Sequence, residues 1–133
     1  MFYGCTSLTS APELKATTLA KYCYYEMFGD CKSLTSAPEL KATTLAENCY
    51  NLMFYGCTKL STVTMLALNY HIRNAKECCN NWLQDAGTDK NVSSRTLKIQ
   101  DATAYDALAN NPAYLPDNWK KDQCTVKYES TLP

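Results

Sequence analysis

Met1-Phe2-Tyr3-Gly4-Cys5-Thr6-Ser7-Leu8-Thr9-Ser10-Ala11-Pro12-Glu13-Leu14-Lys15-Ala16-Thr17-Thr18-Leu19-Ala20 returns almost verbatim from Met27 and begins a third time at Met53. The period is 27 − 1 = 26, and again 53 − 27 = 26. Over one period the first two copies differ only at Tyr3/Gly29, Gly4/Asp30, Thr6/Lys32, Lys21/Glu47, Tyr22/Asn48, Tyr25/Asn51 and Glu26/Leu52. A fixed period of this length marks a solenoid, whose units are too small to bury their own apolar face and do so against their neighbours.

Within a unit, Cys5 to Leu14 reads as a brief extended segment with Leu8, Ala11 and Leu14 as its apolar positions. Pro12 and Pro38 lack the N–H that a ladder uses, so the strand is expected to end near them. Its counterparts lie within Leu34 to Leu40 and Leu60 to Leu66, stacked in parallel. The return path, Ala16 to Phe28, carries Leu19, Cys23 and Met27 at i, i+4 and i+8, the apolar stripe of a helix. Thr17 or Thr18 would be its N-cap and Gly4 and Gly56 its stop.

The third copy keeps Met53-Phe54-Tyr55-Gly56-Cys57 and then drifts. Aligning Cys49 to Phe54 with Cys78 to Leu83 gives an offset of 78 − 49 = 29, which places a short insertion, 29 − 26 = 3, around Asn69 to Asn74. From Thr88 the period is gone. Thr96 to Gln100 alternates, Asp101 suits the N-cap of a short helix carrying Tyr105 and Leu108, and Asn110-Asn111-Pro112 ends it. Cys124, Val126 and Tyr128 alternate again, so that segment is expected to pair with Thr96 to Gln100. The reading is an α/β chain of two parts: residues 1–87, a short right-handed solenoid of parallel strands with helical returns, and residues 88–133, a C-terminal α+β cap.

The recurring Met-Phe-x-x-Cys-x-x-Leu-x-x-Ala-Pro-x-Leu, followed by Ala-Thr-Thr-Leu-Ala and a cysteine on the expected helix, resembles the BspA-like leucine-rich repeats of surface and secreted proteins of Bacteroides-type gut bacteria. The resemblance spans Met1 to Leu83. Leu115-Pro116-Asp117-Asn118-Trp119 is similar to the Ile-Pro-x-Gly-Trp element that closes such arrays, with Asn118 in place of the glycine. The sequence departs from the family at Ala11 and Ala37, where isoleucine is usual, and at Lys15 and Lys41, where proline is frequent. The resemblance implies an exported, cell-surface or secreted protein that adheres to a protein, host surface or matrix ligand. No cap precedes Met1, so either a longer natural chain or a partner is expected to cover that end, with self-association there as an alternative.

Thirteen basic and thirteen acidic residues cancel, leaving no electrostatic footprint for nucleic acid. No apolar run approaches the roughly 18 residues of a membrane span, and no signal-peptide pattern is present. Of the eight cysteines, five fall in series one period apart, Cys5, Cys31 and Cys57, and Cys23 and Cys49. Pairing within a series, or of Cys23 with Cys31, would staple coils together; buried free thiols stacked in a core need no bond and are the favoured reading.

Catalysis has little support: His71 is the single histidine, and Cys78 with His71 is the one conceivable nucleophile pair. No metal ligand set or phosphate loop appears, so no cofactor is expected. Glu13 with Glu39, beside Lys15 and Lys41, reads as a solvated ladder. Tyr3, Tyr22, Tyr24, Tyr25, Tyr50 and Tyr55 line the return side as interface or packing residues. The candidate binding strip is the strand face, Thr9, Ser10, Thr35, Ser36, Ser61 and Thr62. A non-enzymatic interaction module is the leading expectation, with a passive spacer or display stalk second and a thiol-dependent enzyme third.

Overall fold

The structure, a computed structural model, describes residues 2–129; Met1 and residues 130–133, the end of the expected cap, lie outside it. Its regular elements are β1 (Thr62–Met65), α1 (Asn69–Asn74), β2 (Thr96–Ile99), α2 (Ala102–Ala109), a 3-10 turn (Asp117–Trp119) and β3 (Thr125–Tyr128). The three strands form one parallel sheet in the order β1-β2-β3. This is an α/β architecture, and the expected pairing of Thr96 to Gln100 with the last segment is present as β2 on β3.

The first two copies extend that sheet without forming strands of their own. Ser10 pairs with Ser36 and Ser36 with Thr62 as single parallel bridges, and Leu40 pairs with Met65. Pro12 and Pro38 explain the brevity, since neither has an N–H to continue a ladder. Thr64 and Met65 stand in the third copy where the others have Pro and Glu, and there the pairing lengthens into β1.

The expected return helix is absent from the described residues. Lys21 to Asp30 is instead a ribbon of consecutive turns, and the second and third copies repeat it. The N–H groups of Cys23, Tyr25, Met27, Gly29 and Cys31 each donate to the carbonyl three residues back. The alternate N–H groups, of Tyr22, Tyr24, Glu26, Phe28 and Asp30, donate to Glu47, Cys49, Asn51, Met53 and Tyr55 of the next coil at 2.6 to 3.1 Å. Asn48, Tyr50, Leu52, Phe54 and Gly56 repeat the pattern onto Lys76, Cys78, Asn80, Trp82 and Gln84. Every fourth residue turns left-handed: Tyr22, Glu26 and Asp30, then Asn48, Leu52 and Gly56, then Glu77, Asn81 and Asp85.

A conformational repeat of four residues brings Leu19, Cys23 and Met27 to one side, as a helical repeat of about 3.6 does. Over two turns the two periods leave the same sequence pattern. The ribbon differs in where its hydrogen bonds go: half are spent between coils, which couples each copy to the next. Thr18, expected as an N-cap, pairs with Thr44 of the next coil. Gly4 and Gly56 are turn residues at φ +72 and +73, and Asp30 holds the same position in the second copy at φ +56.

The inferred insertion is present. Phe28 N–H reaches Met53, a step of 53 − 28 = 25, whereas Phe54 N–H reaches Trp82, a step of 82 − 54 = 28. The longer step is taken up in α1, where Ile72 is buried. Downstream, Asp101 caps α2 as expected, its Oδ1 accepting from Ala104 N–H at 2.9 Å, and Asn110 closes the helix.

The core runs continuously through the coils. Phe2, Phe28 and Phe54 stack with ring centroids 5.3 and 5.8 Å apart and planes within 4°. Tyr24, Tyr50 and Trp82 form a second stack at 6.2 and 6.3 Å. Near the C-terminal end, Arg95 donates to the carbonyls of Asn118, Gly87 and Gln123. Asn118 Nδ2 and Trp119 Nε1 both donate to Ala86 O, at 2.9 and 3.0 Å. Gly87 sits at φ +67 with Leu60 O and Arg95 Cδ within 2.8 Å of where a Cβ would lie, so this junction requires glycine.

Candidate functional site

The sheet face carries a column of hydroxyls. Ser10, Ser36 and Thr62 are joined by bridges, and strand register continues the line through Thr96 to Thr125. Thr96 is half-exposed and the other four are exposed. Beside them Thr9, Thr35 and Ser61 form a second row, linked by Thr35 N–H to Thr9 O at 3.4 Å and Ser61 N–H to Thr35 O at 2.9 Å. The strip of six residues read from the sequence falls in two adjacent rows, with Ser61 half-buried and the other five exposed. Thr35 and Ser61 also turn their hydroxyls back onto the preceding coil, donating to Thr9 O at 3.5 Å and Thr35 O at 3.1 Å.

Thr96 and Thr125 were not foreseen, although the sequence carries a signal for them. Thr62-Val63-Thr64-Met65, Thr96-Leu97-Lys98-Ile99 and Thr125-Val126-Lys127-Tyr128 share one pattern, a leading threonine followed by apolar, polar, apolar. Their unequal spacing, 96 − 62 = 34 and then 125 − 96 = 29, hides the match from a search for a fixed period. The strands stack because Val63, Leu97 and Val126 all point to the core side.

A cleft of about 320 Å³ opens on the Thr35–Ser61 row, lined also by Lys59 and the loop residues Asn91, Val92, Ser93 and Ser94. Asp89 shapes that loop by accepting Asn91 N–H on Oδ1 at 2.8 Å. The lining offers hydroxyls, one amide and one exposed ammonium, and holds no carboxylate. Such a surface suits an oxygen-rich or anionic group.

The remaining candidates fall elsewhere. His71 sets its ring edge-on to Tyr70 at 5.3 Å, while Cys78 donates to Ile72 O and points at Tyr114 Oη. The two are not joined by any hydrogen bond among the described residues. All eight cysteines are free thiols, and five of them are buried. Cys31 and Cys57 donate to Phe2 O and Phe28 O at 2.9 and 3.0 Å, the same bond one period apart. Burial pushes the Cys49 and Cys57 thiols up to about 12, far from a reactive thiolate. Cys79 is pushed up as well, by burial and by its hydrogen bond to Cys78.

Among the described residues no group of three or more His, Cys, Asp or Glu is placed to hold a metal ion, and no helix is long and apolar enough to cross a membrane. Tyr24 and Tyr50 pack between coils, whereas Tyr3, Tyr22 and Tyr25 are exposed. Glu13, Glu39, Lys15 and Lys41 are all exposed. Comparison with family profiles, curated proteins and solved structures found no match for this chain.

Proposed function

We propose that this chain is a non-enzymatic interaction module of the leucine-rich-repeat type, a short solenoid whose hydroxyl-lined sheet face adheres to a protein, host surface or matrix ligand. The observation that carries the reading is the register of Ser10, Ser36, Thr62, Thr96 and Thr125 on a single line, exposed except at half-exposed Thr96, beside a cleft open to solvent. A flat wall that repeats one polar group at strand spacing, about 4.8 Å, presents a periodic ligand with the same contact many times over. Export to the bacterial surface belongs to the same proposal and rests on the repeat's resemblance to surface proteins.

A spacer role is the second reading, and one observation favours it. Thr35 and Ser61 already use their hydroxyl protons within the wall, which would leave them less to offer a ligand. Labelled chain applied to immobilised collagen, fibronectin and laminin and to fixed epithelial cells separates the two. Binding to one of these surfaces that falls at least ~10-fold in Ser36→Trp and Thr62→Trp, with melting temperature held, supports adhesion through the wall. Equal binding by the variants, or none by the parent chain, favours the spacer.

A further inference from the structure

The cleft beside the hydroxyl column is preformed by the chain's own hydrogen bonds. Asp89 N–H donates to Thr58 O at 2.9 Å and Thr96 N–H to Ser61 O at 2.8 Å, so the loop from Asp89 to Ser94 is tied at both ends to the third copy. Val92 N–H closes back on Asp89 O at 2.9 Å. The volume, about 320 Å³, lies at the small end of the range for small-molecule sites, about 300–1,000 Å³.

Its polar groups divide into two sets by what they can give a ligand. The first set is free to donate. The Lys59 ammonium joins no ion pair among the described residues. The side-chain amide of Asn91 and the N–H and hydroxyl groups of Ser93 and Ser94 make no hydrogen bond among them either. The second set has its protons committed: Ser61 donates to Thr35 O at 3.1 Å, and Thr35 donates to Thr9 O at 3.5 Å. A hydroxyl whose proton is spent keeps its lone pairs, so Thr35 and Ser61 accept from a ligand.

A ligand that satisfies both sets carries an anionic group for the donors and O–H groups for the acceptors, close together on one small frame. A neutral sugar leaves the ammonium unanswered, and an acidic peptide brings carboxylates without neighbouring hydroxyls. A sugar bearing a carboxylate or a sulfate ester has both within one ring. Val92, half-buried in the lining, gives such a ring a small apolar contact.

We propose that this cleft binds an acidic saccharide, with its carboxylate or sulfate on Lys59, Asn91, Ser93 and Ser94 and its hydroxyls on Thr35 and Ser61. The assignment rests on the adhesive reading of the wall and gives the ligand of that wall a chemistry.

The full chain, isotope-labelled, is titrated with a hyaluronan tetrasaccharide, its methyl ester, a chondroitin sulfate tetrasaccharide, sodium sulfate and triglutamate, and the amide signals of Ser93 and Ser94 are followed. At least one of the two acidic saccharides should shift those signals to saturation, and the tighter of the two tells carboxylate from sulfate. Lys59→Gln should weaken that binding roughly tenfold, as the loss of a hydrogen bond to a charged group does, and Lys59→Arg should restore most of it. The uncharged methyl ester should bind more weakly than its parent acid by a similar factor wherever the carboxylate is the group held. Thr35→Val should cost roughly threefold, the effect of one neutral hydrogen bond. No shift with either acidic saccharide at millimolar concentration would overturn the proposal. So would equal binding by Lys59→Gln, or sodium sulfate or triglutamate binding as tightly as the saccharides. Ser36 and Thr62 lie outside the lining, which keeps the two readings separable. A chain that binds no saccharide yet loses surface adhesion in Ser36→Trp overturns this proposal alone, and one that binds neither saccharide nor surface overturns both.

Discussion

The sheet wall and the return ribbon are built from the same coils yet stand on different physics. On the wall, register is fixed by alternation: Val63, Leu97 and Val126 face the core while Thr62, Thr96 and Thr125 face outward. A slip of one residue would bury threonines and expose the apolar row. On the ribbon no alternation exists. Order there comes from stacked rings and from N–H groups that alternate between their own turn and the next coil. The wall can tolerate change on its outer face, whereas the first two ribbons tie every second residue to the next coil.

The sharpest way to test that contrast is to remove a ring from the ribbon. Phe28 is fully buried between Phe2 and Phe54, and Phe28→Ala should cost about 3–5 kcal/mol in denaturant unfolding. A loss below about 1 kcal/mol would mean that the stack does not hold the coils together.

Alkali probes the same side through its thiols. Cys49 and Cys57 have folded-state values raised to about 12, above the ordinary thiol value, so their stabilising contribution is complete below about pH 8.5–9 and is lost as pH rises towards 12. Each thiol should remove on the order of 1 kcal/mol of stability per pH unit in that window. The melting temperature should fall steadily above about pH 9, and less steeply in Cys49→Ala or Cys57→Ala than in the parent.

A smaller effect decides between ribbon and helix by its sign. Glu77 is exposed at φ +53, a conformation that costs a side chain about 1 kcal/mol and glycine almost nothing. Glu77→Gly should therefore stabilise the chain by up to about 1 kcal/mol, where the same change inside a helix would destabilise it by a similar amount. Smallest of all should be the outer face of the wall. Ser36→Val should shift stability by no more than about 0.5 kcal/mol either way, because Ser36 is exposed and its bridge is made by backbone. A larger loss would show that the hydroxyl itself is structural.

Much of the wall was legible in the sequence for a simple reason. Near-verbatim copies must fold alike, and the polar positions between Leu8 and Leu14 could only fall on the side away from the core. The six residues of the strip accordingly lie together. Thr96 and Thr125 escaped because irregular spacing hid their equivalence, and the cleft escaped because Asn91 to Ser94 reaches Thr35 only through tertiary folding. The return path reads as helix in the sequence because residues repeating every four positions look helical over two turns.

The sequence by itself determined the period, the parallel stacking of the copies, the short insertion now seen in α1, and the Asp101 cap of α2. Each follows from a local pattern or from identity between copies. Tertiary structure alone decided that the return would be a ribbon of turns. Left-handed residues such as Tyr22, Asn48 and Leu52 are unfavourable one at a time and persist only because a neighbouring coil accepts the N–H groups their turns aim outward.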